Sequence, residues 1–185
     1  MRNSGARAEK QRIRQEIRLI ARSLTPEYRQ QASRIITRSI LSLPAWQRAR
    51  TVMAYASLPD EPDTRELMEQ ALREQKTLLL PRCLDASAMT AIQVRDLDSL
   101  ETGEMGIPEP PLKDAGNETP EPDLILVPCM AASPGGVRLG HGAGYYDRFL
   151  AEHSGKKVCL CFRVLLRPDL PAEPTDIPMD LVVTD

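Results

Sequence analysis

Short apolar runs recur along this chain with helix-like or polar stretches between them, and that alternation limits its fold more than any other feature. Residues 51–56 read TVMAYA, 77–80 read TLLL, 124–127 read LILV and 157–162 read KVCLCF. Each suits a buried strand and is too short for a helix. Residues 89–94 and 181–184 are candidates for one further strand each. Strands separated by helices predict an α/β fold, a mainly parallel sheet flanked by helices, doubly wound and Rossmann-like. Ligands of such sheets bind in the crevice outside the carboxyl ends of the strands. With 185 residues, the chain suits a single domain over 1–185.

Residues 1–45 are expected to form helices packed on the sheet. Ile13, Ile17, Ile20 and Leu24 recur at steps of three and four, which predicts an amphipathic helix over 8–24. Its other face is basic, with Lys10, Arg12, Arg14, Arg18 and Arg22. Charge of this kind usually forms a solvated face, and spacing alone favours that account. Lys10 and Arg14, four apart, also project on one side, where two cations could clamp a polyphosphate. Thr25 caps a second helix, with Pro26 at its first position and Glu27 in its first turn. Ala32, Ile35, Ile36, Ile40 and Leu43 make its apolar side, and Pro44 marks its end. Asp63 or Thr64 starts a third helix. Pro81-Arg82 closes the second strand. Glu61, Arg82 and the loop beyond residue 127 all follow strands directly, so they should gather at one edge of the sheet.

Residues 97–123 are loop-rich, and read equally as a functional lid or as a surface excursion. Residues 124–152 are expected as strand, loop and helix. Pro128 ends the apolar run, small residues follow, and then come Arg138, Gly140, Gly142 and Gly144 before Tyr145, Tyr146 and Asp147 open the helix. Glycines let backbone N–H groups approach an anion, and a helix N-terminus adds a positive dipole end. Arg138 can pair with phosphate. Asp147 can ligate Mg²⁺, a hard cation that prefers oxygen. Neither the P-loop nor the dinucleotide spacing is present, and many glycine loops make only tight turns. The arginine before these glycines and the Tyr-Tyr-Asp after them point to phosphate.

Composition excludes several function classes. Formal charge is near balance at −2, so nothing demands nucleic acid or an acidic membrane. Aromatic residues are only 4%, too few for a platform that stacks single-stranded nucleic acid. No apolar run approaches the roughly 20 residues of a membrane span. The opening MRNSGARAEKQ lacks the apolar core of a signal peptide, so a cytoplasmic protein is expected. Cys83, Cys129, Cys159 and Cys161 form no C-x-x-C pair and read as free thiols.

These residues together carry a family likeness. The chain resembles the 5-formyltetrahydrofolate cyclo-ligase (methenyltetrahydrofolate synthetase) family over nearly its whole length, most densely in RLGHGAGYYDRF at 138–149. The family's Lys and Arg four apart match Lys10 and Arg14. Its acidic strand-end loop matches Asp60-Glu61 with Thr64 beyond, and its Pro-Arg pair matches Pro81-Arg82. Its I-P-x-P run matches 107–110, and its tail motif matches Asp176 and Asp180. Aromatic residues common in the family are replaced at Cys83, near Met105 and at Ala132, which predicts weaker stacking on a pterin or aminobenzoyl ring.

The resemblance implies an enzyme that uses ATP and Mg²⁺ to convert 5-formyltetrahydrofolate into 5,10-methenyltetrahydrofolate, releasing ADP and phosphate. The formyl oxygen takes the γ-phosphoryl group, and N10 then attacks the activated carbon. The resemblance also implies that Lys10, Arg14, Arg138, Leu139, Gly140, His141, Gly142, Ala143, Gly144, Tyr145 and Tyr146 hold ATP. Ala56, Glu61 and the stretch from His141 to Tyr145 would face the folate, and Asp147 and Asp176 would serve Mg²⁺. Lys10 and Arg138 would offset phosphate charge, with no side-chain nucleophile required. The expected partners are the small molecules ATP and reduced folate, not nucleic acid or membrane, bound by a monomer or weak dimer. Two alternatives stay open on the same scaffold: a nucleotide- or folate-binding protein without turnover, and an ATP-dependent ligase or kinase for another small molecule.

Overall fold

A computed structural model describes residues 3–85, 88–103, 106–114 and 119–185. Met105 and most of the polar run after Lys113 lie outside the described residues. The chain opens with helices α1 (Asn3–Ser23), α2 (Pro26–Ser42) and the short α3 (Pro44–Arg48). Strand β1 (Thr51–Met53) leads through α4 (Arg65–Arg73) to β2 (Thr77–Cys83), which turns back into β3 (Met89–Val94). A small hairpin, β4 (Glu101–Thr102) and β5 (Pro108–Glu109), precedes β6 (Leu124–Val127). A second hairpin, β7 (Ala131–Ala132) and β8 (Arg138–Leu139), leads into α5 (Tyr145–Glu152), β9 (Lys156–Leu160) and β10 (Leu181–Val183).

The main sheet has the order β10-β9-β6-β1-β2-β3. All its neighbours run parallel except β2 and β3. The inner parallel strands are largely apolar because helices cover the sheet. Every residue of β1 and β6 is buried. The helices turn their apolar stripes to the same core. Ile13, Ile17 and Ala21 of α1 and Ala32, Ile36 and Ile40 of α2 are buried in it, with Ile20 and Leu24 at its margin.

Two local expectations need correction. Ile35 does not belong to the buried stripe of α2 and is 39% exposed. The stripe runs through 32, 36 and 40 with Ser33 and Thr37 beside it, which puts position 35 on the outer side. Pro44 follows the end of α2 at Ser42, as expected, and also begins α3 at its first position. Trp46 of that helix, unremarked in the sequence, is fully buried, and its indole N–H donates to Glu74 at 3.1 Å. Pro81-Arg82 does not close β2, which continues through both to Cys83, paired with β3. Ala54 N–H donates to Leu79 O, so Leu79 and Pro81 aim their backbone groups toward β1. β1 has ended by then, so the N–H that proline lacks is not needed.

The amino edge of the sheet is knit by Asp123. Its carboxylate accepts the backbone N–H groups of Arg50 at 2.8 Å and Thr51 at 2.9 Å, while its own carbonyl accepts from Lys156 at 2.9 Å. The Thr51 and Arg50 N–H groups hold this carboxyl below the usual Asp range. A carboxyl depressed in the folded state stabilises fully above its unfolded value, about 3.9, and the contribution is lost as pH falls through the lower folded value. Asp123→Ala should therefore cost about 1 kcal/mol at neutral pH, a modest figure because the side chain is exposed. Urea midpoints of variant and wild type should converge as the pH drops below about 4.

Candidate active site

β1 and β6 are parallel neighbours whose chains leave in opposite directions. β1 continues through α4 to β2 on one side, and β6 continues through α5 to β9 on the other. Loops that diverge from adjacent carboxyl ends open a crevice between them. Here it is a cavity of about 1470 Å³, walled also by α1 and by the tail before β10. Lys10, Arg14, Ala56, Glu61, Arg138, the whole of 139–146, Asp147 and Asp176 all line it. Sites that the sequence places up to 166 residues apart thus meet in one space.

One end is charged. Lys10 is 4% exposed and so departs from the solvated reading of its helix face, on which Arg12, Arg18 and Arg22 are exposed. Its ammonium donates to Asp176 Oδ1 and Oδ2 at 2.7 and 2.6 Å and to Glu173 Oε2 at 2.8 Å. The two acids stand together because Glu173-Pro174-Thr175-Asp176 forms a turn, with Asp176 N–H donating to Glu173 O at 3.0 Å. Proline suits the second position of such a turn. Glu173 N–H in turn donates to Asp176 Oδ2 at 2.6 Å. Arg14 Nε donates to Gly140 O at 2.8 Å. Burial, then the Arg18 charge beside it, lowers the Arg14 pKa. Arg138 donates to Asp147 Oδ2 at 3.0 Å and to Pro128 O at 3.2 Å, and its Nε is buried without a partner among the described residues. Asp147 Oδ1 accepts from Ile177 N–H at 3.3 Å, which ties the tail to the glycine loop. In that loop Gly142 has φ +111°, and a Cβ there would lie 3.4 Å from the Arg14 guanidinium.

The other end holds two buried carboxylates, Glu109, which stands beside Arg82, and Glu61. Glu61 Oε2 accepts from Leu58 N–H at 2.9 Å, and Oε1 accepts from His141 Nε2 at 3.3 Å. The loop that carries Glu61 is fastened by Thr64, fully buried, whose hydroxyl donates to Tyr55 O. The Tyr55 and Tyr146 hydroxyls are buried beside Glu61 without partners among the described residues. Burial, and then the Glu61 charge, raises both pKa values, so both stay protonated donors. Pro81, Cys83, Met89 and Ile107 give this end apolar walls.

Some expected placements differ. Arg82 alternates away from Pro81 and Cys83 and does not line the cavity; it donates to Pro110 O at 3.4 Å and lies 3.4 Å from Glu109 Oε2. Ala132 is fully buried in the β7–β8 hairpin, so its replacement of an aromatic does not thin the cavity wall, whereas Cys83 does face the cavity. Tyr55 and Glu173 escaped sequence reasoning. Glu173 had a signal, an acid three before Asp176 across a proline; Tyr55 looked like one more residue of an apolar strand.

Asp147 and Asp176 offer hard oxygens within one cavity, and Ile177 links them. Among the described residues no group of three or more His, Cys, Asp and Glu side chains could hold a metal alone. That donor set suits Mg²⁺, which takes one or two carboxylates and completes its shell with water and phosphate oxygens. No described helix is long and apolar enough to cross a membrane.

Comparison with known proteins agrees across nearly the whole chain. The profile of the 5-formyltetrahydrofolate cyclo-ligase family matches residues 6–185. A Caenorhabditis elegans protein named as a probable 5-formyltetrahydrofolate cyclo-ligase is 31% identical, over 97% of this chain and 94% of its own. The Haemophilus influenzae 5-formyltetrahydrofolate cyclo-ligase is 31% identical, over 95% of this chain and 97% of its own. The solution structure of Aquifex aeolicus 5,10-methenyltetrahydrofolate synthetase superposes with a TM-score of 0.81 at 29% identity, covering 94% of this chain and 88% of that one. A Mycoplasma pneumoniae structure, at 20% identity and a TM-score of 0.76, shares the fold.

The tail that supplies Asp176 is held against the β7–β8 hairpin. Met179 N–H donates to Gly136 O at 2.9 Å, and a Cβ on Gly136, whose φ is +89°, would lie 2.5 Å from Met179 O. Gly136→Ala should therefore displace the tail and cost about 1–3 kcal/mol of stability, read from denaturant midpoints.

Proposed function

This chain belongs to the 5-formyltetrahydrofolate cyclo-ligase family, and we propose that it is an ATP- and Mg²⁺-dependent 5-formyltetrahydrofolate cyclo-ligase. One observation carries the reading: a single cavity joins an end with the buried cations Lys10 and Arg138 to an end where the carboxylate of Glu61 is buried and accepts from a backbone N–H. The first suits a polyphosphate and the second suits the paired N–H groups of a pterin ring.

On this reading Lys10, Arg14 and Arg138 hold the ATP phosphates, with Leu139, Gly140, His141, Gly142, Ala143, Gly144, Tyr145 and Tyr146 as the backbone cradle. Glu61 accepts hydrogen bonds from the pterin, Ala56 lines its pocket, and His141 to Tyr145 face both ligands. Asp147 and Asp176 would hold Mg²⁺, which supplies neutralisation of the γ-phosphoryl charge when bound. An amide oxygen is a poor leaving group, and its phosphorylation makes a good one. The formyl oxygen attacks the γ-phosphorus and ADP leaves. N10 then adds to the formyl carbon and loses its proton, and phosphate departs as the ring closes. The protein needs no nucleophile of its own. It aligns two ligands and stabilises developing charge. Arg138 is held for that task by Pro128 O and Asp147 on either side of its guanidinium.

The direct test is the appearance of methenyltetrahydrofolate absorbance when the protein, MgATP and 5-formyltetrahydrofolate are mixed; its absence removes the assignment. Two substitutions separate the ends of the cavity. Glu61→Gln should weaken folate binding and leave ATP binding nearly intact by calorimetry. Asp147→Asn should lower turnover by roughly two orders of magnitude or more and raise the Mg²⁺ requirement. Asp176→Asn should do less, since water can replace one ligand of a hydrated Mg²⁺. An unchanged Mg²⁺ requirement in Asp147→Asn would make Asp147 an ordinary acid of the first helical turn.

A further inference from the structure

An ammonium group has three hydrogens, and all three on Lys10 are spoken for. Two carboxylates surround it: both oxygens of Asp176, at 2.7 and 2.6 Å, and Oε2 of Glu173, at 2.8 Å. The Lys10 side chain is 6% exposed, so water does not stand in for these partners. The proposed function asks Lys10 to meet a phosphate and Asp176 to meet Mg²⁺. Each task requires the Lys10–Asp176 contact to open. A buried ammonium that loses its partners is strongly disfavoured, so something must hold Lys10 while Asp176 turns away.

We infer that Glu173 is the positioning residue that keeps Lys10 aimed into the cavity during this exchange, an assignment that rests on the cyclo-ligase reading of the same site. Glu173 takes one ammonium hydrogen and neither of the two exchange tasks. Release of Asp176 frees the other two hydrogens together, and Glu173 orients them toward the incoming phosphate. The Glu173 backbone is set by the same turn that sets Asp176, with Asp176 N–H on Glu173 O at 3.0 Å and Pro174 between them. Rotation of the Asp176 carboxylate gives up its contact with Glu173 N–H, at 2.6 Å, but leaves the turn's backbone bond in place to hold Glu173. Departure of Asp176 to a metal leaves one pair, Lys10 with Glu173, which is neutral before phosphate arrives.

The test compares full-length wild type, Glu173→Ala and Glu173→Gln. Calorimetry uses a non-hydrolysable ATP analogue at saturating Mg²⁺, and kinetics follow methenyltetrahydrofolate absorbance. Glu173→Ala should weaken analogue binding and raise KM for ATP by about tenfold, as loss of one charged hydrogen bond does. KM for folate and the Mg²⁺ concentration giving half-maximal rate should stay at wild-type values. Glu173→Gln, whose amide oxygen still accepts from the ammonium, should recover most of the loss. Analogue binding equal to wild type in Glu173→Ala overturns the inference. So does a raised Mg²⁺ requirement in Glu173→Gln, which would make Glu173 a metal ligand. Equal damage to folate and ATP binding in both variants, with a lowered unfolding midpoint, overturns it as a merely structural effect. Failure of the wild type to bind the analogue removes this inference and the proposed function together, whereas wild-type binding with no methenyl product removes only the function.

Discussion

Two parallel strands that sit side by side and send their chains apart are the constraint on which this molecule depends. Between β1 and β6 no connection bridges the carboxyl ends, so the backbone there cannot close over itself. The sheet below that opening is buried, with every residue of β1 and β6 shielded from solvent. The opening is filled from outside, by a helix from the start of the chain and a turn from its end. Glu61 and the glycine loop come from the two divergent connections themselves, and Lys10, Glu173 and Asp176 are brought to them.

Low-dielectric surroundings then dictate how the polar groups behave. A charge taken out of water must find a partner, and the buried charges of this cavity find theirs within the chain. Lys10 meets two acids, Arg138 meets Asp147, and Glu61 meets His141 and a backbone N–H. The exceptions in this cavity are the neutral hydroxyls of Tyr55 and Tyr146 and the Nε of Arg138, buried without partners among the described residues. A ligand here does not enter a field of bare charges. It exchanges contacts one for one, which favours a molecule that brings anion and cation together over one that brings either alone.

Much of this was legible in the sequence because it is local. The strand runs at 124–127 and 89–94 fall where the structure has β6 and β3, since four apolar residues between breakers have few other fates. Thr25 caps α2 as its side chain requires, accepting from Tyr28 N–H at 3.2 Å. What could not be read depends on partners distant in the chain. Spacing assigns Lys10 to a solvated face, and only the tail, folded back against α1, buries it. Pro81 looks like a strand end because a proline inside a sheet is acceptable only where a neighbour has already stopped, and strand lengths are not written locally. The β7–β8 hairpin hides within a stretch of small residues, and it is what removes Ala132 from the cavity wall.

The pairing of Lys10 with Asp176 across 166 positions of sequence also has a meaning for synthesis. Chains emerge from the amino end at about 5–20 residues per second and fold as they emerge. The core strands β1, β2 and β6 lie in the first 127 positions, so they precede the tail by dozens of residues. A nascent chain can assemble the middle of the sheet with its glycine loop and Glu61 in place, while the ammonium of Lys10 still faces water and the acids opposite it do not yet exist. The last strand in sequence, β10, also sits at the edge of the sheet, where it can dock without opening what has already formed. The cavity wall is therefore complete only once the tail has emerged, since a shorter nascent chain lacks both the lock on Lys10 and the acids at the cavity's mouth.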